Sequence, residues 1–209
     1  MQIITSMEQG SDQWLELRLG KVTASRLNDV MAKGRSNAPS KTRASYMLQL
    51  VAEIMTGKPE DSFSNKYMEW GNECEPQARS MYEFDSGNDV DQVAFVQVND
   101  HFGVSPDGMI GDDGLLEIKC PKSTTQIERF LKGEFPKEYK AQVQGQLLAT
   151  GRKWCDFVSF DPRINSDASY FCIRVERDEE YLAMLQDGID LFIDELNEMI
   201  KLLKGDNNE

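Results

Sequence analysis

Residues 105–121 constrain this chain more than any other stretch. They read Ser105-Pro-Asp107-Gly108, then Met109–Ile110, the turn Gly111-Asp-Asp-Gly114, and Leu115-Leu-Glu117-Ile-Lys119-Cys120-Pro121. A tight Asp-Gly turn between two short apolar runs predicts a β-hairpin. Strand side chains alternate between faces. Glu117 and Lys119 are two apart and share a face, while Leu116 and Ile118 point to the core. Asp107, on the neighbouring segment, can face the charged pair. Charges gathered on one sheet face need compensation, and a bound divalent cation supplies it. The donors on offer are carboxylate oxygens and a backbone carbonyl such as that of Ile118. Hard oxygen donors with open water positions suit Mg²⁺ or Mn²⁺ and not zinc. Such an ion activates water and stabilises charge on a phosphate under attack. Lys119 would position or activate that water, or hold a phosphate oxygen. An isolated pattern of this kind is more often a turn beside a solvated strand face. Here, however, the acid precedes glycine, the Glu-x-Lys lies in an apolar strand, and a helix with an inward acid comes before it.

The rest of the chain supplies a frame for that hairpin. In front, the pattern is helical. Ser11 can cap a helix through Arg18, and Thr23 or Ser25 can cap another to Met31. A cationic loop, Lys33 to Arg43, follows. Tyr46, Leu50, Val51 and Ile54 then recur at helical spacing up to Gly57. A further helix is predicted from about Lys66 to Phe84, with Trp70, Ala78, Met81 and Tyr82 on its apolar face. An inward acid on this helix could join the cation site, and periodicity leaves Glu73 and Glu75 both open. Strand-like runs follow at Val93–Val98, Phe102–Val104, Trp154–Phe160 and Tyr170–Val175, with a helix at Lys140–Thr150. At the end, Tyr181, Leu185, Ile189, Phe192, Leu196, Met199 and Leu203 form one helical stripe with acids outside it. Strands flanked by helices predict an α/β fold with a mixed central sheet. The expected organisation is one domain over 1–209: a helical part at about 1–88, a sheet region at about 93–175 and a terminal helix at about 178–204.

Composition narrows the function classes. The 209 residues are 40% apolar and 28% charged, the balance of a globular chain. No apolar run approaches the ~20 residues of a membrane span, and the first ten residues lack the pattern of a signal peptide. Four cysteines without short spacing predict reduced thiols in a cytoplasmic protein, and one histidine excludes polyhistidine metal sites. The net charge of −13 argues against a generic nucleic-acid binder. It hides a gradient: residues 176–209 carry eleven acids and three bases, while residues 1–50 carry seven bases and four acids. Such a chain can keep its basic face for a polyanion.

Several motifs in order resemble one family. They are Gln9-Gly10-Ser11-Asp12-Gln13-Trp14, Leu17-Arg18-Leu19-Gly20 and Thr23-Ala24-Ser25. Trp70-Gly71 with Glu75, the Asp107 and Glu117–Lys119 motifs, Ala141-Gln142-Val143-Gln144 and Asp161-Pro162-Arg163 continue the series. Together they resemble the phage lambda exonuclease family, the YqaJ-type viral recombinases of the PD-(D/E)xK nuclease superfamily, over about residues 8–185. The resemblance implies a restriction-endonuclease-like core. It implies a Mg²⁺-dependent 5′→3′ exonuclease, with Mn²⁺ as substitute, that acts on double-stranded DNA ends. One strand becomes mononucleotides and a 3′ overhang is left for recombination by strand annealing. A homotrimeric ring around DNA, a single-strand annealing partner, and a phage or prophage origin in a bacterial cytoplasm are implied too.

Residue by residue, the resemblance gives Asp107, Glu117 and the Ile118 carbonyl the metal, and Lys119 the role of catalytic lysine. It selects Glu75 as the upstream acid and puts Gln142 near the attacking water. Arg18 would take the terminal 5′-phosphate, as a guanidinium can bidentately, with Ser25 and Thr23 lending hydroxyls near a helix start. Met68 falls at an apolar wedge position, and Lys66 at a DNA-contacting lysine. Arg35, Lys41 and Arg43 are further candidates for backbone phosphates. The competing readings are a structure-specific or restriction-type endonuclease of the same superfamily and a non-catalytic recombination adaptor.

Overall fold

The computed structural model describes residues 1–34, 40–60 and 66–205; the side chains of Tyr67 and Met68 are also outside the described set. In chain order the elements begin with β1 (Gln2–Ile4), α1 (Asp12–Arg18), β2 (Val22–Thr23), a 3₁₀ turn (Ala24–Arg26) and α2 (Leu27–Val30). Helices α3 (Lys41–Thr56) and α4 (Lys66–Ser86) follow. Next come β3 (Phe95–Gln97), β4 (Phe102–Val104), β5 (Gly108–Ile110) and β6 (Gly114–Lys119). The chain continues with α5 (Ser123–Lys132), α6 (Lys140–Thr150), β7 (Trp154–Phe160), β8 (Tyr170–Glu176) and α7 (Glu179–Lys204).

The fold is mixed α/β, with helices flanking the sheets. The described strands divide into two four-stranded sheets rather than one, in the orders β1-β3-β4-β2 and β5-β6-β7-β8. Both are mixed: β2 runs parallel to β4, and β6 parallel to β7, while the other pairs are antiparallel. The expected hairpin is present as β5–β6, with Gly108 opposite Leu116 and Ile110 opposite Gly114. Gly111 in its turn has φ +48°, a left-handed backbone that glycine adopts without steric penalty.

Local chemistry explains most helix ends. Ser11 caps α1 by accepting the Trp14 N–H, and Ser40 caps α3 by accepting that of Arg43. Helix α3 therefore starts inside the stretch expected to be loop. Thr23 makes no side-chain capping bond. It is buried in β2 instead, and its N–H donates to Tyr46 Oη at 3.3 Å. The expected helix from Thr23 or Ser25 to Met31 is broken into the 3₁₀ turn and the single turn of α2.

The terminal helix is the main apolar anchor. Leu182, Leu185, Ile189, Phe192 and Leu196 of α7 are buried, each worth roughly 1.5–3 kcal/mol relative to exposure. They join Leu27, Leu50, Leu115, Leu147 and Phe157 in the larger core, whereas Leu203 at the helix end is exposed. A smaller core lies on the other face of the β6 sheet, where Leu116 and Ile118 meet Ala78 and Tyr82 of α4 with Val158 and Phe160. The alternation along β6 is as expected, but both faces are covered. Glu117 is 0% exposed.

Candidate active site

Helix α6 crosses over the face of β6 that carries Glu117. Gln142 and Gln146 are one helical turn apart, so both amides reach down from one helix face. Gln142 Nε2 donates to Glu117 Oε1 at 2.5 Å, and Gln146 Nε2 donates to Glu117 Oε2 at 2.6 Å. Lys119 Nζ pairs with Glu117 Oε1. The two residues expected to share a strand face therefore touch.

Asp107 completes the group from the start of β5. Its Oδ2 accepts the Ile118 N–H at 2.6 Å, and its own N–H donates to Leu116 O at 3.1 Å. A strand residue presents its N–H and C=O to the same edge, so the Ile118 carbonyl lies on the Asp107 side. Burial first, then the Glu117 carboxylate, push the Asp107 carboxyl well above its ordinary range, with Lys119 pulling the other way. Burial pulls the Lys119 ammonium down, but Glu117 and Asp107 outweigh it and hold the lysine above its usual value. A buried acid, Glu117, and a half-buried one, Asp107, thus share one lysine.

One cleft of about 170 Å³ brings these groups to the front of the chain. Asp107, Glu117, Lys119, Gln142 and Gln146 line it together with Trp14, Arg18, Thr23, Ser25 and Ser105. The Arg18 guanidinium carbon lies over the Trp14 ring, 3.8 Å from its centroid. Trp14 is itself fixed, since its Nε1 donates to Ala94 O at 2.9 Å and to Ser105 Oγ at 3.1 Å. Arg18 Nε is buried with no hydrogen-bond partner among the described residues, and burial lowers the guanidinium to about 10. A half-buried guanidinium whose buried Nε–H has no partner among the described residues is suited to receive an anion. Thr23 Oγ1 and Ser25 Oγ stand 3.4 Å apart beside it, with Ser25 exposed.

The other candidates lie elsewhere. Glu73 is exposed, and Glu75 is half-buried and paired with Arg79, whose Nη2 also reaches Asp107 O at 3.2 Å. Glu75 lines a separate cleft of about 680 Å³, which shares Gln9 and Asp107 with the smaller one. Arg43 is engaged inside the fold: it donates to Val30 O at 3.2 Å, pairs with Glu195 at 2.5 Å and stacks on Phe192 at 5.0 Å. Lys41 and Lys66 are exposed at helix starts. Arg35 lies outside the described residues, as does the Met68 side chain.

Three groups missed by sequence reasoning lie around the Asp107, Glu117 and Lys119 cluster. Gln146 is one. Tyr139 is another, with Lys119 Nζ 5.4 Å from its ring centroid. The third is Arg129, a buried cation that donates to Tyr139 Oη and to Ser159 Oγ, each at 3.0 Å. A glutamine four residues after Gln142 was a legible signal. Arg129 gave none, because a buried arginine on a short helix looks like a surface residue.

The donor set can be tested for a cation. Among the described residues no group of three or more His, Cys, Asp and Glu side chains is arranged to hold a metal. The available donors are two carboxylates and one carbonyl, all oxygen. That set fits a hard cation that keeps several waters, and does not fit zinc.

Fold and cleft together define a nuclease. The family model described as YqaJ-like viral recombinase domain matches residues 13–153. The chain belongs to that family, the lambda exonuclease family. An alkaline exonuclease from Laribacter hongkongensis, LHK-Exo, is 42% identical, with TM-score 0.86 over 94% of this chain and 97% of that one. The same enzyme in complex with dAMP matches equally, at TM-score 0.86 and 42% identity over 94% and 97% of the two chains. A phage related exonuclease from Haemophilus somnus 129PT, 18% identical with TM-score 0.65 over 90% and 96% of the chains, shares the fold. No curated protein matches. Among the described residues no helix is long and apolar enough to cross a membrane.

Proposed function

We propose that the protein is a Mg²⁺-dependent 5′→3′ exonuclease acting at the ends of double-stranded DNA, within one nuclease domain. It degrades one strand to mononucleotides and leaves a 3′ single-stranded overhang for recombination by strand annealing. The observation that carries this reading is the single cleft joining a phosphate anchor, Arg18 with Thr23 and Ser25, to Asp107, Glu117, Lys119 and Gln142. An enzyme that counts from a strand end needs a terminal anchor beside its hydrolytic groups. The 42% identical alkaline exonuclease, whose structure is also known with dAMP, supports a mononucleotide-sized site.

The chain's own residues divide the work. Arg18, packed over Trp14, takes the terminal 5′-phosphate, and the Thr23 and Ser25 hydroxyls flank it. Asp107, Glu117 and the Ile118 carbonyl hold the cation, with Mn²⁺ able to replace Mg²⁺. When bound, the ion lowers the pKa of a water and stabilises charge on the scissile phosphate. Lys119 holds a phosphate oxygen and, with Gln142, orients the attacking water. Glu75 contributes negative charge behind Asp107. Lys66, Lys41 and Arg35 track backbone phosphates, and Met68 parts the duplex end. A homotrimeric ring with a locally basic lumen and an acidic outside reconciles the charge of −13 with DNA binding. A single-strand annealing partner and the cytoplasm of a phage-bearing bacterium complete the setting.

The test compares linear and covalently closed duplex DNA, with Mg²⁺ or chelator, on wild type and Lys119→Ala. Degradation of the linear form alone, abolished by chelator and by the substitution, is expected. A cut circle would favour the endonuclease reading. Unchanged processing by the variant would favour the non-catalytic adaptor.

A further inference from the structure

Glu117 is 0% exposed, and so is Gln146. A carboxylate offers about four acceptor positions, two on each oxygen. On Oε1, both are taken, by Gln142 Nε2 and Lys119 Nζ. On Oε2, Gln146 Nε2 takes one at 2.6 Å. The amide orientation follows from chemistry, since an ionised carboxylate only accepts and must face the NH₂ group. Gln146 Oε1 is then left buried without a partner among the described residues. An orphaned buried oxygen opposes folding stability. Packing alone therefore does not account for Gln146; its bond to Glu117 does. The helix that carries it packs closely on the 3₁₀ turn and α2. Gly145 lies so close to Leu27 that a Cβ there would collide with Leu27 Cδ1.

We propose that Gln146 is a positioning residue that fixes the rotation of the Glu117 carboxylate and keeps one Oε2 lone pair free for the catalytic cation. The inference rests on the metal-dependent reading above. Without Gln146, only the Oε1 contacts remain, and Glu117 can swing about them. Partners that orient metal ligands typically govern affinity 10- to 100-fold.

The test is calorimetric titration of Mn²⁺ into the full chain, wild type against Gln146→Met, alongside thermal melting and the Mg²⁺ dependence of duplex degradation. Methionine keeps the volume and removes the donor. A Mn²⁺ Kd about tenfold or more weaker, a melting transition close to wild type, and a rate that recovers at high Mg²⁺ are expected. A merely structural role would move the melting transition and leave the half-saturating Mg²⁺ unchanged. Gln146→Asn, which keeps an amide one methylene too short to reach, serves if the methionine variant does not fold, and the same loss is expected. Equal Mn²⁺ affinity in wild type and a folded variant would overturn the role of Gln146 alone. Absence of Mn²⁺ uptake by wild type would instead overturn the metal reading and the inference with it.

Discussion

The Asp107 carboxylate accepts the backbone N–H of Ile118 at 2.6 Å, which ties one acid to the strand that carries the other. The bond sits just before the start of β5, where Ile118 has no strand partner on that side. Asp107 thus completes the sheet edge and aims an acid at the cleft at once. The two tasks separate by substitution. Asp107→Ala leaves the Ile118 N–H without its acceptor and should cost about 1–3 kcal/mol of stability. Asp107→Asn keeps an acceptor and should melt near wild type. Both should lose roughly 100-fold or more in hydrolysis, about 3 kcal/mol at the transition state. Melting curves and duplex degradation on the two variants check this.

Gly108 is required by close approach rather than by its own backbone. A Cβ there would run into Val90 Cγ1, with Leu116 Cβ behind at 3.5 Å. Val90 is β-branched and yields little. Gly108→Ala should destabilise by about 1–3 kcal/mol and lower the rate as well, because the displaced backbone carries Asp107. A folded variant with full activity would show that the Asp107 position tolerates movement.

Asp161 gives a pH signature away from the cleft. It is fully buried and accepts from Ser123 Oγ at 2.6 Å and from Arg163 Nε and Nη2 at 2.8 and 2.9 Å. Burial pushes its carboxyl up, but the bonds from Arg163 and Ser123 outweigh that and hold it below the ordinary 3.8. A depressed folded-state value contributes stability above the unfolded value and loses it as pH falls through the folded one. The stability gap between wild type and Asp161→Asn, ~2 kcal/mol for charge-assisted bonds, should be full at neutral pH. It should shrink below about pH 4. Denaturant melts across pH 3–7 measure it; a gap that grows in acid would reverse the assignment.

Periodicity exposed much of this fold. The α7 stripe, α6 and the β5–β6 hairpin lie within a residue or two of where apolar spacing puts them. Helix α5 escaped because its pattern is inverted. Its buried positions are Gln126 and Arg129, while Ile127 and Leu131 face outward. Strand β1 escaped because three residues carry no usable period, and its partner β3 lies far along the chain. At the site, the shared face of Glu117 and Lys119 was legible from alternation, and Asp107 opposite them from the hairpin. Choosing Glu75 over Glu73, and finding Arg18 and Gln142, took the family resemblance. The division into two sheets was not legible, because the pairing of short strands depends on contacts distant in sequence.

The account's central claim is that the Arg18 anchor and the two acids form one cleft and act on one DNA end. The most direct measurement is the rate of mononucleotide release from duplexes bearing a 5′-phosphate or a 5′-hydroxyl, on wild type and Arg18→Gln. Wild type should prefer the phosphorylated end by about tenfold or more, the scale of one charge-assisted contact. In Arg18→Gln that preference should collapse towards unity. An undiminished preference for the phosphate in the variant would contradict the account.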